Sequence, residues 1–454
     1  MTFESSKWIK LLMDLLYGFL RFCKERVFSI RKYPSFISFG LLFFSLWTTG
    51  AKAEPTELIF WHSLAGHLGS EVNRVADLFN RSQNEFVVKP IYKGDYNECL
   101  TSLAAAFRAK QAPPLVQVFE IGTPTMLAPK GIIKPVDAIM QEHGLSLPKE
   151  SFFPAVLAYY SVNGRLVAMP FNTSVPVMFY NAEALAKVGY TPQNFPKTWD
   201  EFETMAVKLK SLGYPCVYTS ANPAWILIES FSALHGLPLI DPLKSKAQYN
   251  NKSTIQFLER LRRWQNEHYF EYGGRTDDSS VLFTSGRCPV YSQSSGGYNS
   301  LAELVSFPVG MAMMPMDNRI SQNRHPNVSG GAAVWVIEGH SNLIYKGVAK
   351  YLAFLSRPEV QLQWHQNTGY LPLGITGIYE SLQEKMSAPT LQLAKKELLN
   401  REDIVEAKMQ NQLRVINDEA LEAIFSGIKT PKQAMDNAVA RANHALLRFS
   451  RNTG

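Results

Sequence analysis

Strand-like and helix-like segments alternate along the chain from Pro55 onward, and this alternation limits the fold more than any other feature. Apolar residues 58–61, the segment FVVKPIY at 86–92 and residues 115–119 predict strands. Between them, apolar residues recur at helical spacing: Leu68, Val72, Val75, Ala76 and Phe79, then Leu100, Leu103, Ala104 and Phe107. Such a β-α-β-α-β unit predicts an α/β fold with a mainly parallel sheet flanked by helices.

A carboxylate directly follows the third predicted strand, in the segment PLVQVFEIG at 114–122. Burying the charge of Glu120 without a partner costs several kcal/mol or more, so something must lie opposite it. Ligands of α/β proteins bind at the carboxyl ends of the strands. We therefore predict that Glu120 faces a ligand's hydroxyl groups or a nearby cation; the alternative is a neighbouring loop amide or lysine.

A second α/β body of similar size begins near Pro170. Residues 175–181 predict a strand, and a T-x-x-E capping box at Thr198 and Glu201 opens a helix that Gly213 ends. We find no internal repeat and no low-complexity linker. Two lobes joined by short crossovers therefore fit the pattern better than separate domains on a string.

The last predicted helix begins near Thr430, which forms a T-x-x-Q box with Gln433 and precedes Pro431 at the first helical position. Four residues lie on its predicted buried face: Ala434, Ala438, Ala442 and Leu446.

Residues 1–53 are predicted to be a signal peptide. They carry eight Lys or Arg against three acidic residues, which is +5 of the chain's net +7. The apolar run at 36–47 is too short to span a bilayer, which takes roughly 20 residues. Ala51-Lys52-Ala53 matches a signal-peptidase site, so we expect cleavage after Ala53 and a periplasmic location; an uncleaved anchor is the alternative.

Cysteine is sparse for an exported protein. After residue 53 there are only Cys99, Cys216 and Cys288, so a disulfide framework is not expected to hold the fold. One pair could form, for example Cys216 with Cys288, and a thiol would remain in any case.

Motifs of the common enzyme and metal sites are missing from the sequence. There is no HExxH, no CxxC, no G-x-S-x-G elbow and no phosphate-binding GxxxxGK[ST] loop. A glycosidase pair formed by Glu120 and a second acid would have no local signature. We therefore expect no enzymatic activity, no metal and no cofactor.

Two clusters of small residues have spacing suited to ligand contact. Ser294 to Gly297 lead into a predicted helix, where hydroxyl and backbone N–H groups favour anions. Gly330 and Gly331 precede a predicted strand, where a missing Cβ allows close approach of a ligand or hinge. The alternative is an ordinary tight turn, which is the interpretation we favour for either cluster taken alone.

Ordered segments across residues 54–450 resemble the extracellular solute-binding proteins of bacterial ABC importers, and more narrowly those that bind glycerol phosphates. The segments that carry the resemblance are FWHSLAGHLGSEVNRVADLFN, YKGDYNECL, VFEIGT, PFNTSVPVMFYN, KTWDEFETMAVKLK, SGGAAVWVI, WHQNTGYLP and QLRVINDEALEAIFSGIKTPKQAMDNAV.

The resemblance implies two α/β lobes that close over a ligand about a hinge. It places the first lobe at 54–170 with 333–373, and the second lobe at 171–332 with 374–454. It also implies sn-glycerol-3-phosphate as ligand, possible binding of glycerophosphodiesters, and membrane permease subunits driven by a cytoplasmic ATPase as partners. We expect a monomer that binds no nucleic acid.

The resemblance implies eight ligand-binding residues: Tyr96, Glu120, Ser174, Trp225, Ser294, Gly331, Tyr370 and Arg414. Arg414 supplies a planar fork of charged donors for phosphate oxygens. Glu120 would repel phosphate and is better suited to accept hydrogen bonds from glycerol hydroxyls. The alternatives are interlobe packing for the two tyrosines and an exposed salt bridge for Arg414.

One position departs from the family pattern. The family has a pair of tryptophans in the segment YTSANPAWILIE, and here Trp225 remains while the earlier position is Asn222. The missing aromatic wall makes glycerophosphodiesters such as glycerophosphocholine an alternative ligand. A sugar or oligosaccharide receptor and an exported phosphodiester hydrolase are the two rival functions.

Overall fold

The computed structural model describes residues 54–374, apart from 242 and 245, and residues 410–453. The predicted signal peptide and its cleavage after Ala53 lie outside these residues and stay predictions. Among the described residues, no helix combines the length and the apolar character that a membrane crossing requires.

The elements of the described chain fall into three consecutive stretches. The first contains β1 (Thr56–His62), α1 (Gly66–Ser82), β2 (Phe86–Tyr92), α2 (Tyr96–Arg108), β3 (Leu115–Phe119), a 3-10 turn (Glu120–Gly122), α3 (Thr123–Leu127), α4 (Val136–Glu142), a 3-10 turn (Lys149–Ser151), α5 (Pro154–Tyr159), β4 (Ser161–Val162), β5 (Arg165–Leu166) and β6 (Met169–Ser174). The second contains β7 (Pro176–Asn181), α6 (Ala182–Lys187), α7 (Trp199–Ser211), β8 (Tyr218–Ser220), a π-helix (Ala224–Ser230), α8 (Phe231–Leu234), β9 (Ile240–Asp241), β10 (Lys246–Ala247), α9 (Lys252–Asn266), α10 (Ser280–Thr284), β11 (Val290–Ser294), a 3-10 turn (Ser295–Gly297), α11 (Tyr298–Leu304) and β12 (Val309–Met313). The third contains β13 (Gly330–Val336), α12 (Asn342–Leu355), α13 (Pro358–Thr368), α14 (Gln410–Phe425) and α15 (Pro431–Thr453).

The predicted β-α-β-α-β unit is confirmed. β2 and β3 have the predicted bounds, and α1 buries the apolar stripe that includes Val72, Val75 and Phe79. The capping box between Thr198 and Glu201 is present at the start of α7. These elements formed as predicted because each one depends on residues within a few positions of one another.

The first lobe is built on a five-stranded sheet in the order β2-β1-β3-β13-β6. β1 pairs in parallel with β2 and β3, and β13 runs antiparallel to both β3 and β6. Helices α1 and α12 pack on it, and large side chains such as Trp335 and Phe60 lie fully buried in its core. The apolar burial of this core supplies most of the lobe's stabilisation.

The second lobe is built on a four-stranded sheet in the order β12-β7-β11-β8, with a separate hydrophobic cluster on each face. α14 and α15 pack into the larger cluster, and the predicted face of α15, including Ala434 and Ala442, is buried there. The T-x-x-Q box before α15 is present, because Thr430 and Gln433 exchange hydrogen bonds of 3.1 and 3.2 Å.

Cys216 and Cys288 form a disulfide, as the sequence allowed. The two cysteines precede the neighbouring parallel strands β8 and β11, and the bond therefore fixes the entry to both strands. Cys99 is a buried free thiol in the first lobe, and burial raises its pKa.

The α/β class and the two-lobed architecture are confirmed, but the strand directions are more mixed than the predicted mainly parallel sheets. β7 pairs antiparallel with β11 and β12, and only β8 with β11 is parallel in that sheet. The chain passes from β6 in the first sheet to β7 in the second through Val175 alone, so these two strands join the lobes. The predicted lobe boundaries at 170/171 and 332/333 fall within β6 and β13 and stay predictions.

Candidate functional site

The partner of Glu120 is Arg414. The 3-10 turn after β3 places Glu120 at the carboxyl end of that strand, where 7% of the residue is exposed. Arg414 on α14 donates from Nη2 to Oε1 of Glu120 over 3.1 Å, although 294 residues separate them. An acid of the first lobe and a guanidinium packed with the second lobe therefore meet where the lobes adjoin.

A second carboxylate that the sequence analysis missed also binds Arg414. Glu229 accepts from Nε over 2.9 Å and from Nη2 over 2.7 Å, and its side chain is only 7% exposed. Burial raises the pKa of Glu120. Burial also opposes the charge of Arg414, but the two carboxylates outweigh it and raise the pKa of the guanidinium above its usual range. The guanidinium is thus permanently charged and held by two acids.

Tyr96 opens α2 and lies beside the same turn. Its ring stacks on Phe119 with centroids 5.1 Å apart, and its hydroxyl accepts from Nδ2 of Asn172 over 3.0 Å. Asn172 in turn accepts from Gln117 over 2.8 Å. Burial and the neighbouring Tyr370 raise the pKa of Tyr96 well above its usual value, so it is a neutral hydroxyl that can donate.

Tyr370 lies between this group and the turn that follows β11. Burial raises its pKa to about 12, and its ring stacks on Trp364 with centroids 6.0 Å apart. A Cβ placed on Gly296 would come within 2.3 Å of the Tyr370 ring, so the glycine is required for this contact. The cluster at 294–297 and the first lobe therefore meet at Tyr370.

Ser294 is held by its own neighbour. Its N–H donates to Oε1 of Gln293 over 2.7 Å, and its Oγ accepts from the N–H of Gly296 over 3.3 Å. Asn222 donates to the same Gln293 oxygen over 3.1 Å, and Gln293 donates to Asp277 over 2.6 Å. A network of hydrogen bonds through Gln293 thus fixes the backbone at Ser294.

Ser174, Gly331 and Trp225 converge at the end of the β6–β13 pair. Ser174 pairs with Gly330, and Gly331 has φ +112, a conformation that favours glycine. A Cβ on Gly330 would lie 2.5 Å from the ring of Trp225. Trp225 comes from the π-helix that also carries Glu229, so one element supplies both.

Contacts place the eight predicted residues in three groups. Glu120 binds Arg414 directly, and Tyr96 binds Asn172. The ring of Tyr370 lies against Gly296, whose N–H binds Ser294, and Ser174, Gly331 and Trp225 meet at the β6–β13 pair. Their role in ligand binding stays a prediction. Three supporting residues were missed: Glu229, Asn172 and Gln293. Glu229 had the same signal as Glu120, a single acid ending an apolar run.

Among the described residues, one group has the side chains of a metal site, namely Cys216, Glu271 and Cys288. The two sulfur atoms are joined in the disulfide, and therefore they are not free thiolate ligands.

The chain belongs to the bacterial extracellular solute-binding proteins, whose family pattern matches residues 74–389. Its relatives include the sn-glycerol-3-phosphate-binding periplasmic protein UgpB of Pectobacterium atrosepticum, 38% identical over 90% of this chain and 95% of that protein. The Salmonella typhimurium protein of the same name is 37% identical, over 90% of this chain and 96% of the relative.

Solved structures show the same fold. UgpB from Mycobacterium tuberculosis in complex with glycerophosphocholine superposes with a TM-score of 0.71 at 20% identity, covering 87% of this chain and 99% of that one. Maltose-bound MalE3 of T. maritima gives 0.72 at 18% identity, covering 86% and 100%. At these identities the likeness establishes the two-lobed fold and nothing about the ligand.

Proposed function

We propose that this protein is the substrate-binding component of an ABC importer that captures sn-glycerol-3-phosphate in the periplasm and delivers it to a membrane permease. The observation that carries the proposal is the meeting of Glu120 and Arg414 at 3.1 Å from different lobes. The named relatives bind this ligand and match nearly the whole chain, which supports the same assignment here.

The charges suit a ligand with an anionic end and a hydroxyl end. Arg414 keeps its Nη1 group without a hydrogen-bond partner among the described residues, so its donors can serve phosphate oxygens. Glu120 can accept from glycerol hydroxyls. Tyr96, Tyr370, Ser174, Ser294 and the N–H of Gly331 supply further donors, and Trp225 supplies an apolar wall.

A glycerophosphodiester is the second candidate ligand. Arg414 already faces Glu120 and Glu229, and a diester carries one negative charge fewer at neutral pH than a fully ionised monoester. Asn222 donates to Gln293, so this position is filled by a small polar side chain that leaves room for a substituent on the phosphate.

The remaining predictions join the proposal: a monomer, no cofactor, no metal, no nucleic acid, and lobes bounded near 170/171, 332/333 and 373/374. The relatives are transport proteins that bind substrates, and the proposed role needs no catalysis.

Calorimetric titration of the purified protein with sn-glycerol-3-phosphate, glycerophosphocholine and maltose, side by side, tests the assignment. We expect saturable binding of the first ligand. Binding of maltose alone would identify a sugar receptor. Release of glycerol-3-phosphate from glycerophosphocholine by wild type, and its loss in Glu120→Gln, would identify a hydrolase.

A further inference from the structure

Two acids bind Arg414, and the geometry points to different roles for them. We propose that Glu229 is a positioning residue that holds Arg414 in every state, and that Glu120 is the partner which the guanidinium exchanges for ligand phosphate. The inference rests on the proposed function, because it concerns the same site.

The contacts with Glu229 are those of a permanent pair. Nε and Nη2 of Arg414 form two parallel hydrogen bonds of 2.9 and 2.7 Å with the two oxygens of one carboxylate. Bidentate pairs of this kind fix the plane of the guanidinium as well as its position. These two hydrogen bonds occupy the Nε–Nη2 edge of the guanidinium. Nη1 and the second hydrogen of Nη2 lie on the other edge, where Glu229 does not bind them.

The element that carries Glu229 is immobilised. All seven residues of the π-helix Ala224–Ser230 are buried, and π-helical turns in proteins are frequent at functional sites. The π-helix is also tied to the helix of Arg414 by a second contact, since the N–H of Ala224 donates to Asp418 over 3.2 Å. Glu229 and Arg414 therefore belong to one rigid part of the second lobe.

The contact with Glu120 is weaker and joins different lobes. It is a single hydrogen bond of 3.1 Å from Nη2, on the edge that Glu229 leaves open. A phosphate that uses Nη1 and Nη2 would take this edge and displace Glu120 without disturbing Glu229. The released Glu120 carboxylate is then free to accept from the hydroxyl end of the ligand.

A double-mutant cycle in binding affinity tests the role of Glu229, with sn-glycerol-3-phosphate as probe and wild type, Glu229→Gln, Arg414→Gln and the double variant as corners. Each single variant should weaken binding by about 10-fold or more, the scale of a hydrogen bond to a charged group. If Glu229 acts through Arg414, the double variant should bind no more weakly than Arg414→Gln, within about threefold. If the double variant instead lost affinity by the product of the two single losses, Glu229 would have only a structural role, and the inference would be overturned.

The pair between Arg275 and Glu422 provides a matched control. It has the same Nε and Nη2 bidentate geometry, at 2.7 and 2.6 Å, and Glu422 lies on the same helix as Arg414. Glu422→Gln should leave affinity unchanged within about twofold. If Glu229→Gln does not fold, as judged by circular dichroism, Glu229→Asp keeps the charge but is too short for both hydrogen bonds, and it should weaken binding through Arg414 in the same cycle.

Binding of inorganic phosphate, which lacks the glycerol hydroxyls, distinguishes the role of Glu120 from that of Glu229. Glu120→Gln should bind it about 3-fold to 10-fold more tightly than wild type, because a competing charge on Arg414 is removed. Glu229→Gln should bind it more weakly. If the two variants changed the affinity for phosphate equally, the proposed exchange of Glu120 for phosphate on Arg414 would be overturned. Wild type that binds neither phosphate nor sn-glycerol-3-phosphate would overturn the proposed function itself, together with this inference.

Discussion

Glu120 and Arg414 lie 3.1 Å apart across the junction of the two lobes. Glu120 directly follows a strand, and Arg414 lies in the second turn of a helix, 294 residues further along the chain. The arginine side chain is 19% exposed, so its charge is largely desolvated. Burying a guanidinium away from water costs free energy, and a charged arginine that the fold nevertheless keeps at this position is well suited to bind an anionic ligand.

Arg414→Ala is therefore expected to weaken sn-glycerol-3-phosphate binding by about 1.5–3 kcal/mol, the usual contribution of a hydrogen bond to a charged group. Calorimetric titration measures the loss. Arg275→Ala removes a guanidinium with the same pairing geometry outside the site and should bind like wild type. Unchanged affinity in Arg414→Ala would remove the residue from the ligand site.

The sequence predicted the elements whose signals are local. The bounds of β2 and β3, the buried stripe of α1 and the two T-x-x-E or T-x-x-Q boxes each depend on residues close together in the chain. The insertion of β13 between β3 and β6 was not predictable in this way, because antiparallel pairing over more than 150 residues leaves no periodic signal.

The residues of the candidate site also differ in whether local sequence signals could predict them. The cost of burying Glu120 predicted a cation or ligand opposite it, and the structure places Arg414 there. The family resemblance supplied Arg414 itself, which spacing could not. Glu229 ends an apolar run as Glu120 does, but it was missed because no predicted strand placed the run WILIE at the edge of a sheet, where ligands bind.

Gly331→Ala is expected to destabilise the protein and to weaken ligand binding. A Cβ at this position would lie 1.6 Å from the backbone oxygen of Asn172, and φ is +112. The β6–β13 pair would have to shift, which would displace Ser174 and the contact with Trp225. Urea unfolding and calorimetric titration measure the two effects.

Gly339→Ala is the matched control for that change. Gly339 has φ +100 but no atom within 4 Å of its would-be Cβ, so only the conformational cost of about 1–2 kcal/mol applies. Gly331→Ala should cost more than this in the free energy of unfolding. Equal costs at both positions would mean that the close approach to Asn172 does not constrain the site.

The disulfide between Cys216 and Cys288 is expected to contribute about 2–4 kcal/mol to the stability of the second lobe, because it closes a long loop in the unfolded chain. The double variant Cys216→Ala/Cys288→Ala should show this loss in urea unfolding. Cys99→Ser, in the first lobe, should leave the response to reductant unchanged. Wild type that is equally stable with and without reductant would contradict the expectation.

Asp418 is expected to make the protein less stable as the pH rises from about 4 to about 6. Burial raises its pKa from 3.8 to about 6, against the opposing hydrogen bond from Ala224 and the charge of Arg414. The folded state therefore binds the proton more tightly than the unfolded state, and stability falls as this proton is lost. Urea unfolding at several pH values should show the decrease, of at most about 3 kcal/mol from this group.

Asp418→Asn keeps an acceptor for the N–H of Ala224 but cannot ionise, so its free energy of unfolding should fall less than that of wild type over this pH interval. Asp436→Asn is the control of opposite sign. The side-chain hydrogen bond from Lys432 lowers the pKa of Asp436, so that any stability from this group is lost only as the pH falls below about 4. This control should leave the slope between pH 4 and pH 6 as in wild type. A parallel slope in Asp418→Asn would show that other carboxyl groups, Glu120 foremost among them, carry the pH dependence.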